Sequence, residues 1–306
     1  MIDKPGFYPA SDLPMAAYLA DPSPMPSLSS GVAHDLLTKS PKHVWSDHPR
    51  LGGSLSEPND ASDMGTIAHD LLLGGEGKIC IIEPADYRSK PTKADPEGSI
   101  PKGWTNGAIR AARDEAREHG LTPVLAGAMG AARAMAAEAK RFVASSALAG
   151  VFDEGEGEVT MIWREGPAWC KARPDWLNHV MKVRLHYKTT QASAKPEPFI
   201  RGLMESMGYD VALAFYRRGF EALTLIDSEW RDVILVQEQS APYACSLIAL
   251  DPAKFAIADD KVTRAIALWQ KCIASGKWPA YSGEIHYASP TAWQLAEAER
   301  LLQEGL

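Results

Sequence analysis

The chain has 306 residues with 32 Lys+Arg against 39 Asp+Glu, a formal charge of −7, and 45% hydrophobic residues. These proportions suit a globular chain with a sizeable core and exclude a disordered, fibrous or disulfide-stapled miniature protein. The net acidity repels phosphate at long range, so binding nucleic acid requires a local basic face.

Cys80, Cys170, Cys245 and Cys272 lie far apart, match no short metal or redox spacing, and read as free thiols of a reducing compartment. The N-terminus lacks the basic start and apolar run of a signal peptide, and no stretch approaches the roughly 18 apolar residues of a membrane span. A soluble cytoplasmic protein without a membrane partner is expected.

Residues 1–28 carry six prolines and read as an extended arm that packs little by itself. Ser30 is a plausible N-cap for a short helix through Leu36 and Leu37, Ser40-Pro41 opens a second helix, and residues 46–57 read as a loop. Met64, Ile67, Ala68, Leu71 and Leu72 form one apolar stripe on a helix that stops at Gly74-Gly75. A short strand at 79–83, a loop at 91–104 and Ala-rich helices at 106–119 and 124–149 follow.

From Glu158 the period changes to two. Residues 158–163, 169–177 and 183–188 predict three consecutive antiparallel strands, turned at Gly166-Pro167 and Asn178-His179. Residues 197–224 return to helical spacing, and 232–239 pairs with 243–250 around Ala241-Pro242. Asp251-Pro252 caps a long helix ending near Gly276, and a last helix covers about 291–304. One helix-decorated α/β body over 29–306 is expected, with a helical cap at about 29–150 and a core at about 151–306.

Alternation places Lys171, Arg173 and Asp175 on one strand face and His186 with Lys188 on the next strand. If those strands pair, an acid, an imidazole and an ammonium converge, a combination suited to phosphodiester hydrolysis: Asp175 ligates a metal and Lys188 orients water. The alternative is a solvated cross-strand ion pair. His69 lies about 130° round its helix from the apolar stripe at about 100° per residue, so it can face a cleft, or stand idle at the surface. Lys171, Arg173, Lys182, Arg184 and Lys188 supply a basic face that can grip DNA phosphates; Arg217-Arg218 reads as a solvated helix surface. Trp45, Trp163, Trp176 and Trp269 read as core residues rather than base-stacking platforms.

The segments Cys170–Asp175 (CKARPD) and Tyr187–Thr190 (YKTT) resemble the RecE (exonuclease VIII) family of phage-type recombination nucleases, within the PD-(D/E)XK superfamily. Gly65–His69 (GTIAH), Ser40-Pro41, Glu158 and Gln237-Glu238 before Pro242-Tyr243 stand in the same order, and the likeness spans roughly residues 28–280. It implies a mixed sheet flanked by helices with an N-terminal helical cap. It also implies an active site of His69, Asp175, His186 and Lys188, with Glu158 as a further carboxylate and His69, Glu158, Asp175 and His186 as metal ligands. The family has an acid where His186 stands and a glutamine where Ala212 stands.

Loss of that acid favours Mn²⁺ over Mg²⁺, because imidazole is a softer donor than carboxylate. By resemblance, the protein is a metal-dependent 5′→3′ double-stranded DNA exonuclease of phage or prophage recombination. It would leave 3′ overhangs, form a homo-oligomeric ring on duplex ends and act with a single-strand annealing protein of RecT type. The other readings are an inactive relative that binds DNA ends, because of His186 and Ala212, and an endonuclease on the same core.

Overall fold

Prolines cut residues 1–28 into pieces too short to fold alone, yet each piece finds a partner on the body of the protein. The computed structural model describes residues 1–53, 60–74, 78–93, 95–224 and 230–304, without the side chains of residues 60–63. Strand β1 (Gly6–Tyr8), helix α1 (Met15–Leu19) and strand β2 (Ser27–Leu28) make up the N-terminal segment. β1 and β2 complete the open edges of a hairpin much later in the chain, so the segment packs more closely than its proline content suggests.

Helix α2 (Ser30–Thr38) is capped by Ser29, whose hydroxyl accepts from Val32 N–H, one residue earlier than expected. Helix α3 (Pro41–Asp47) starts as predicted, with Ser40 at the cap and Pro41 in the first turn. Helix α4 (Asp60–Leu73) ends before Gly74, at φ +86°. The predicted stop at Gly75 and the part of the predicted 46–57 loop beyond Gly53 lie outside the described residues.

Strand β3 (Ile79–Ile82) pairs in parallel with β4 (Thr122–Leu125) across helix α5 (Gly107–Glu118). β4 has no counterpart in the sequence reading, because its four residues run straight into helix α6 (Ala126–Ala144) without a turn signal.

The expected meander is divided between two sheets. Strands β5 (Glu156–Gly157), β6 (Thr160–Glu165), β7 (Ala168–Ala172), β8 (Trp176–Asn178) and β9 (Val183–Thr190) follow in order. The hairpin β6–β7 joins β1 and β2 in a sheet of order β1-β6-β7-β2. β8 and β9 belong to the second sheet. The break falls at Arg173-Pro174-Asp175, where proline has no N–H to continue the ladder.

After β9 come the short helices α7 (Pro196–Pro198) and α8 (Met204–Ser206), separated by a π-helical turn at Phe199–Leu203, then α9 (Tyr209–Thr224). Strand β10 (Arg231–Glu238) returns parallel to β9, a crossover made by these helices. β11 (Cys245–Ile248) pairs antiparallel with β10 through the cis Ala241-Pro242 peptide. The second sheet runs β11-β10-β9-β8-β5 and is mixed. Helix α10 (Pro252–Ser275) is capped by Asp251 and ends at Gly276; α11 (Ala292–Gln303) follows.

Helices cover both faces of the second sheet. Leu185, Tyr187, Val233 and Leu235 pack against Ala68, Leu72, Met135 and Ala139 of α4 and α6. Ile234, Val236 and Ile248 pack against Phe199, Met204 and Leu213 on the other side. Trp163, Phe215 and Trp269 anchor a further cluster where α9 and α10 meet the first sheet. The four cysteines are free thiols, and among the described residues no helix is long and apolar enough to cross a membrane.

Candidate active site

The division of the chain between two sheets positions the central carboxylate. Pairing of β8 with β9 begins at Trp176–Leu185, one residue after Asp175. The Asp175 side chain turns onto the neighbouring strand: Oδ2 accepts from Tyr187 N–H at 2.7 Å and from Lys188 Nζ at 3.3 Å. Oδ1 faces His69 Nε2 of α4 at 3.7 Å. Helix α4 can lie this close to the end of β9 because residue 65 is glycine; a Cβ there would stand 2.8 Å from Thr189 Oγ1.

Glu158 enters the same cleft from the turn before β6, with φ +55°, a left-handed conformation that non-glycine residues adopt at a cost. Its backbone N–H donates to Asp175 O at 3.1 Å, and Lys78 Nζ donates to Glu158 Oε2 at 2.8 Å. Asp70, next to His69, lines the cleft too; its Oδ2 is buried without a hydrogen-bond partner among the described residues. Tyr209 and Tyr216 of α9 close the opposite wall. The cleft encloses about 540 Å³. Ala212 lies on the helix face shared by these tyrosines, three residues after one and four before the other, so its small side chain fills little of that stripe.

The electrostatics centre on the Asp175 carboxylate and the two cations that face it. Burial pushes the Asp175 carboxyl up, but the Lys188 ammonium and His69 outweigh it and hold the group well below the ordinary carboxylate range. Burial alone would lower His69; the flanking carboxylates of Asp175, at 3.7 Å, and Asp70, at 3.8 Å, push it up to about 9. Burial likewise opposes charge on Lys188, and Asp175 raises it above its ordinary value. Burial raises the Tyr209 and Tyr216 hydroxyls, which remain neutral donors.

Asp175, Lys188, His69 and Glu158 therefore line one cleft, but His186 does not join them. Its side chain is 1% exposed and stacks on Tyr216 with ring centroids 4.7 Å apart, and Nε2 lies 3.5 Å from Asp232 Oδ1. Neither ring nitrogen makes an aligned hydrogen bond among the described residues. As a correction, His186 is a packed core residue behind Tyr216 rather than a ligand facing the cleft.

The expected basic face is also corrected. Arg184 grips Asp232 through two hydrogen bonds of 2.7 and 2.6 Å and packs over the rings of Phe220 and Trp230. Buried Lys171 donates to Tyr18 O at 2.7 Å and stands 3.6 Å from Asp21 Oδ1; burial lowers its pKa. Arg173 donates to Thr160 Oγ1 at 2.7 Å and to Leu13 O, fastening the N-terminal segment, and only its edge lines the cleft.

Lys182 is exposed, but it lies in the turn before β9, six residues from Lys188, about 20 Å along the strand. Alternation correctly puts such residues on one face but cannot say that helices cover that face. Arg217 and Arg218 pair with Glu221, Glu165 and Asp259 on the helix surface. Trp163 and Trp269 are core residues and Trp176 is half-buried, whereas Trp45 is 41% exposed.

Lys78, Asp70, Tyr209 and Tyr216 are cleft residues that the sequence reading did not select. Lys78 sits alone among small residues before β3, and the tyrosines read as ordinary core positions on α9. The one signal for Asp70 is its place beside His69.

The donor set suits a hard divalent cation. Asp175 Oδ1 and Glu158 offer oxygen, His69 Nε2 offers nitrogen, and the orphaned Asp70 oxygen leaves negative charge uncompensated. Among the described residues no three His, Cys, Asp or Glu groups already stand at ligand spacing, and Lys78 occupies Glu158. Water and a substrate phosphate would complete the coordination of an ion held by Asp175, Glu158 and His69.

A family model described as a PDDEXK-like domain of unknown function (DUF3799) matches residues 115–291, more than half of the chain. A solved structure from Eubacterium rectale, described as a "putative exonuclease", is similar over 94% of this chain and 97% of its own, with a TM-score of 0.54 and 10% identity, which shows a shared fold. A second solved structure, SSO0001, covers 71% of this chain and 96% of its own at a TM-score of 0.27 and 16% identity, too distant to bear on the fold. No curated protein matches the sequence.

Proposed function

We propose, from the premise that the chain belongs to the PDDEXK-like family DUF3799, that this PD-(D/E)XK nuclease is a metal-dependent exonuclease of the RecE type. It digests double-stranded DNA ends 5′→3′ and leaves a 3′ overhang. The observation that carries the reading is Asp175 and Lys188 meeting at 3.3 Å in a cleft shared with His69 and Glu158.

Nucleases of this superfamily generally use divalent metals. Here Asp175, Glu158 and His69 would hold the ion, which when bound supplies a polarised phosphate and an acidified water. Lys188, kept protonated by Asp175, donates hydrogen bonds that orient the attacking water and offset charge on the phosphate oxygens. The Tyr187 N–H fixes the Asp175 carboxylate so that its other oxygen faces the cleft. The neutral Tyr209 and Tyr216 hydroxyls present donors to the scissile phosphate from the opposite wall.

The ion is Mg²⁺ or Mn²⁺. The imidazole of His69 beside the carboxylates of Asp175 and Glu158 favours Mn²⁺. Ring assembly on duplex ends and cooperation with a RecT-type annealing protein complete the proposal, which rests for both on the resemblance of the RPD and YKTT segments. Linear duplex labelled on either 5′ or 3′ ends, incubated beside covalently closed circles with Mg²⁺ or Mn²⁺, tests it. Loss of the 5′ label from linear DNA with circles intact is expected; nicking of circles, or release of the 3′ label first, contradicts it.

A second reading, an end-binding relative without hydrolysis, is favoured by the seclusion of His186 behind Tyr216. It predicts retention of labelled ends on the protein with no cleavage under either ion.

A further inference from the structure

One buried charge in the cleft has no role in this account. Asp70 is 4% exposed, and its Oδ2 has no hydrogen-bond partner among the described residues. A buried carboxylate oxygen in that state is destabilising unless a partner satisfies it. The cations nearby are engaged elsewhere: Lys78 with Glu158, and Lys188 with Asp175. The other Asp70 oxygen, Oδ1, stands 3.8 Å from Nδ1 of His69, while Nε2 of the same ring faces Asp175 at 3.7 Å. His69 is thus bracketed by a carboxylate at each nitrogen, with one nitrogen on the cleft side.

We propose that Asp70 is a positioning carboxylate for His69: it takes the Nδ1–H, holds the ring in place and presents Nε2 to a divalent cation. Histidines that bind metals commonly hand their second ring N–H to a carboxylate, which fixes tautomer and orientation and raises ligand basicity. A rotation of the Asp70 side chain that shortens the gap by about 1 Å brings Oδ1 to hydrogen-bond length. Through His69, Asp70 supplies negative charge to the same ion from α4. The inference rests on the metal-dependent reading of the cleft.

The test is Mn²⁺ binding to the metal-free protein, measured by calorimetry for wild type, Asp70→Leu, Asp70→Asn, His69→Ala and the Asp70→Leu/His69→Ala double variant. Asp70→Leu is expected to weaken Mn²⁺ by about 10–100-fold. Its metal-free melting temperature, read separately, reports any structural part of the Asp70–His69 contact. Asp70→Asn keeps an acceptor oxygen and recovers part of the affinity, and it is the informative variant if the leucine protein does not fold. The double variant binds no more weakly than His69→Ala alone, because Asp70 acts through the ring.

Mn²⁺ affinity within twofold of wild type in both Asp70 variants overturns the proposal. So does a lower melting temperature with unchanged affinity, which marks a structural role, and so do fully additive effects of the two substitutions. Failure of the wild-type protein itself to bind Mn²⁺ overturns the metal-dependent reading and the role of Asp70 with it. Normal wild-type binding with an unaffected Asp70→Leu variant removes only the latter.

Discussion

Replacing Asp175 by asparagine reports on the charge arrangement of the cleft before any chemistry occurs. In a site built only of clustered carboxylates, neutralising one relieves repulsion and stabilises the protein. Here Asp175 faces Lys188 at 3.3 Å and His69 at 3.7 Å, so the same change should destabilise it. The gross attraction to Lys188 is about 5 kcal/mol at an effective dielectric constant of about 20. Desolvation of both partners offsets much of it, leaving about 2 kcal/mol, the scale of a hydrogen bond to a charged group.

The asparagine oxygen still accepts from Tyr187 N–H, so the fold survives. The expected fall in melting temperature is roughly 3 °C for a chain of this length, read by circular dichroism in chelator at pH 7. The folded carboxyl titrates below its unfolded value of about 3.9, so the stabilisation is complete above that value and is lost only as pH falls through the lower folded one. The difference between the two proteins should therefore persist from pH 8 to pH 5. An unchanged or higher melting temperature for Asp175→Asn would refute the reasoning, because it would mean that Lys188 and His69 do not compensate the carboxylate.

Gly65→Ala places a methyl group 2.8 Å from Thr189 Oγ1 and should cost about 1–3 kcal/mol and cleavage activity, whereas adding Thr189→Ala should restore both in melting and nuclease assays. His186→Asp should not create a Mg²⁺ site but should destabilise by about 1–3 kcal/mol at pH 7, because the new carboxylate would face Asp232; its raised pKa means that the penalty shrinks as pH falls, visible in melting curves between pH 7 and 5. His48 donates from Nε2 to Ser27 O and accepts Arg50 N–H at Nδ1, and burial lowers its pKa. Stability that depends on neutral His48 is complete above its unfolded value of about 6.5 and is lost as pH falls through the lower folded one, so His48→Gln should melt with a flatter pH profile between 7.5 and 5.

Asp175 and Lys188 could be read from the chain because a tight turn at Asn178 folds two short strands onto each other, and period-two alternation then brings their ends together. The angular offset of His69 on α4 left it either facing a cleft or idle at the surface, and the resemblance of Gly65–His69 implied the former; helix α10 could be read from Asp251-Pro252 and Gly276. The mixed helix-flanked sheet came from the family resemblance, since the strand periodicity predicted a single antiparallel meander that the structure divides between two sheets.

Burial was not legible at the next layer. Arg184 and His186 share the face of Lys188, but α9 covers that face, and only Lys188 reaches past the helix. Arg184 is instead neutralised by Asp232, 48 residues away in sequence, a partner that no local pattern identifies. Lys171 and Arg173 were read as cations for phosphate, whereas they hold Tyr18, Asp21 and Leu13 of the N-terminal segment. Asp70 carried no signal beyond its place beside His69, and the surroundings of its buried oxygen are a property of three-dimensional packing alone.

The most direct test of the Asp175–Lys188 cleft is the single-turnover rate of digestion of a linear duplex in Mn²⁺ by wild type, Lys188→Ala and Asp175→Asn, each confirmed as folded. Wild type should shorten the duplex from its ends, and each substitution should lower the rate at least about 100-fold. A rate in Lys188→Ala equal to that of wild type, or no digestion by wild type under any divalent ion, would contradict the account.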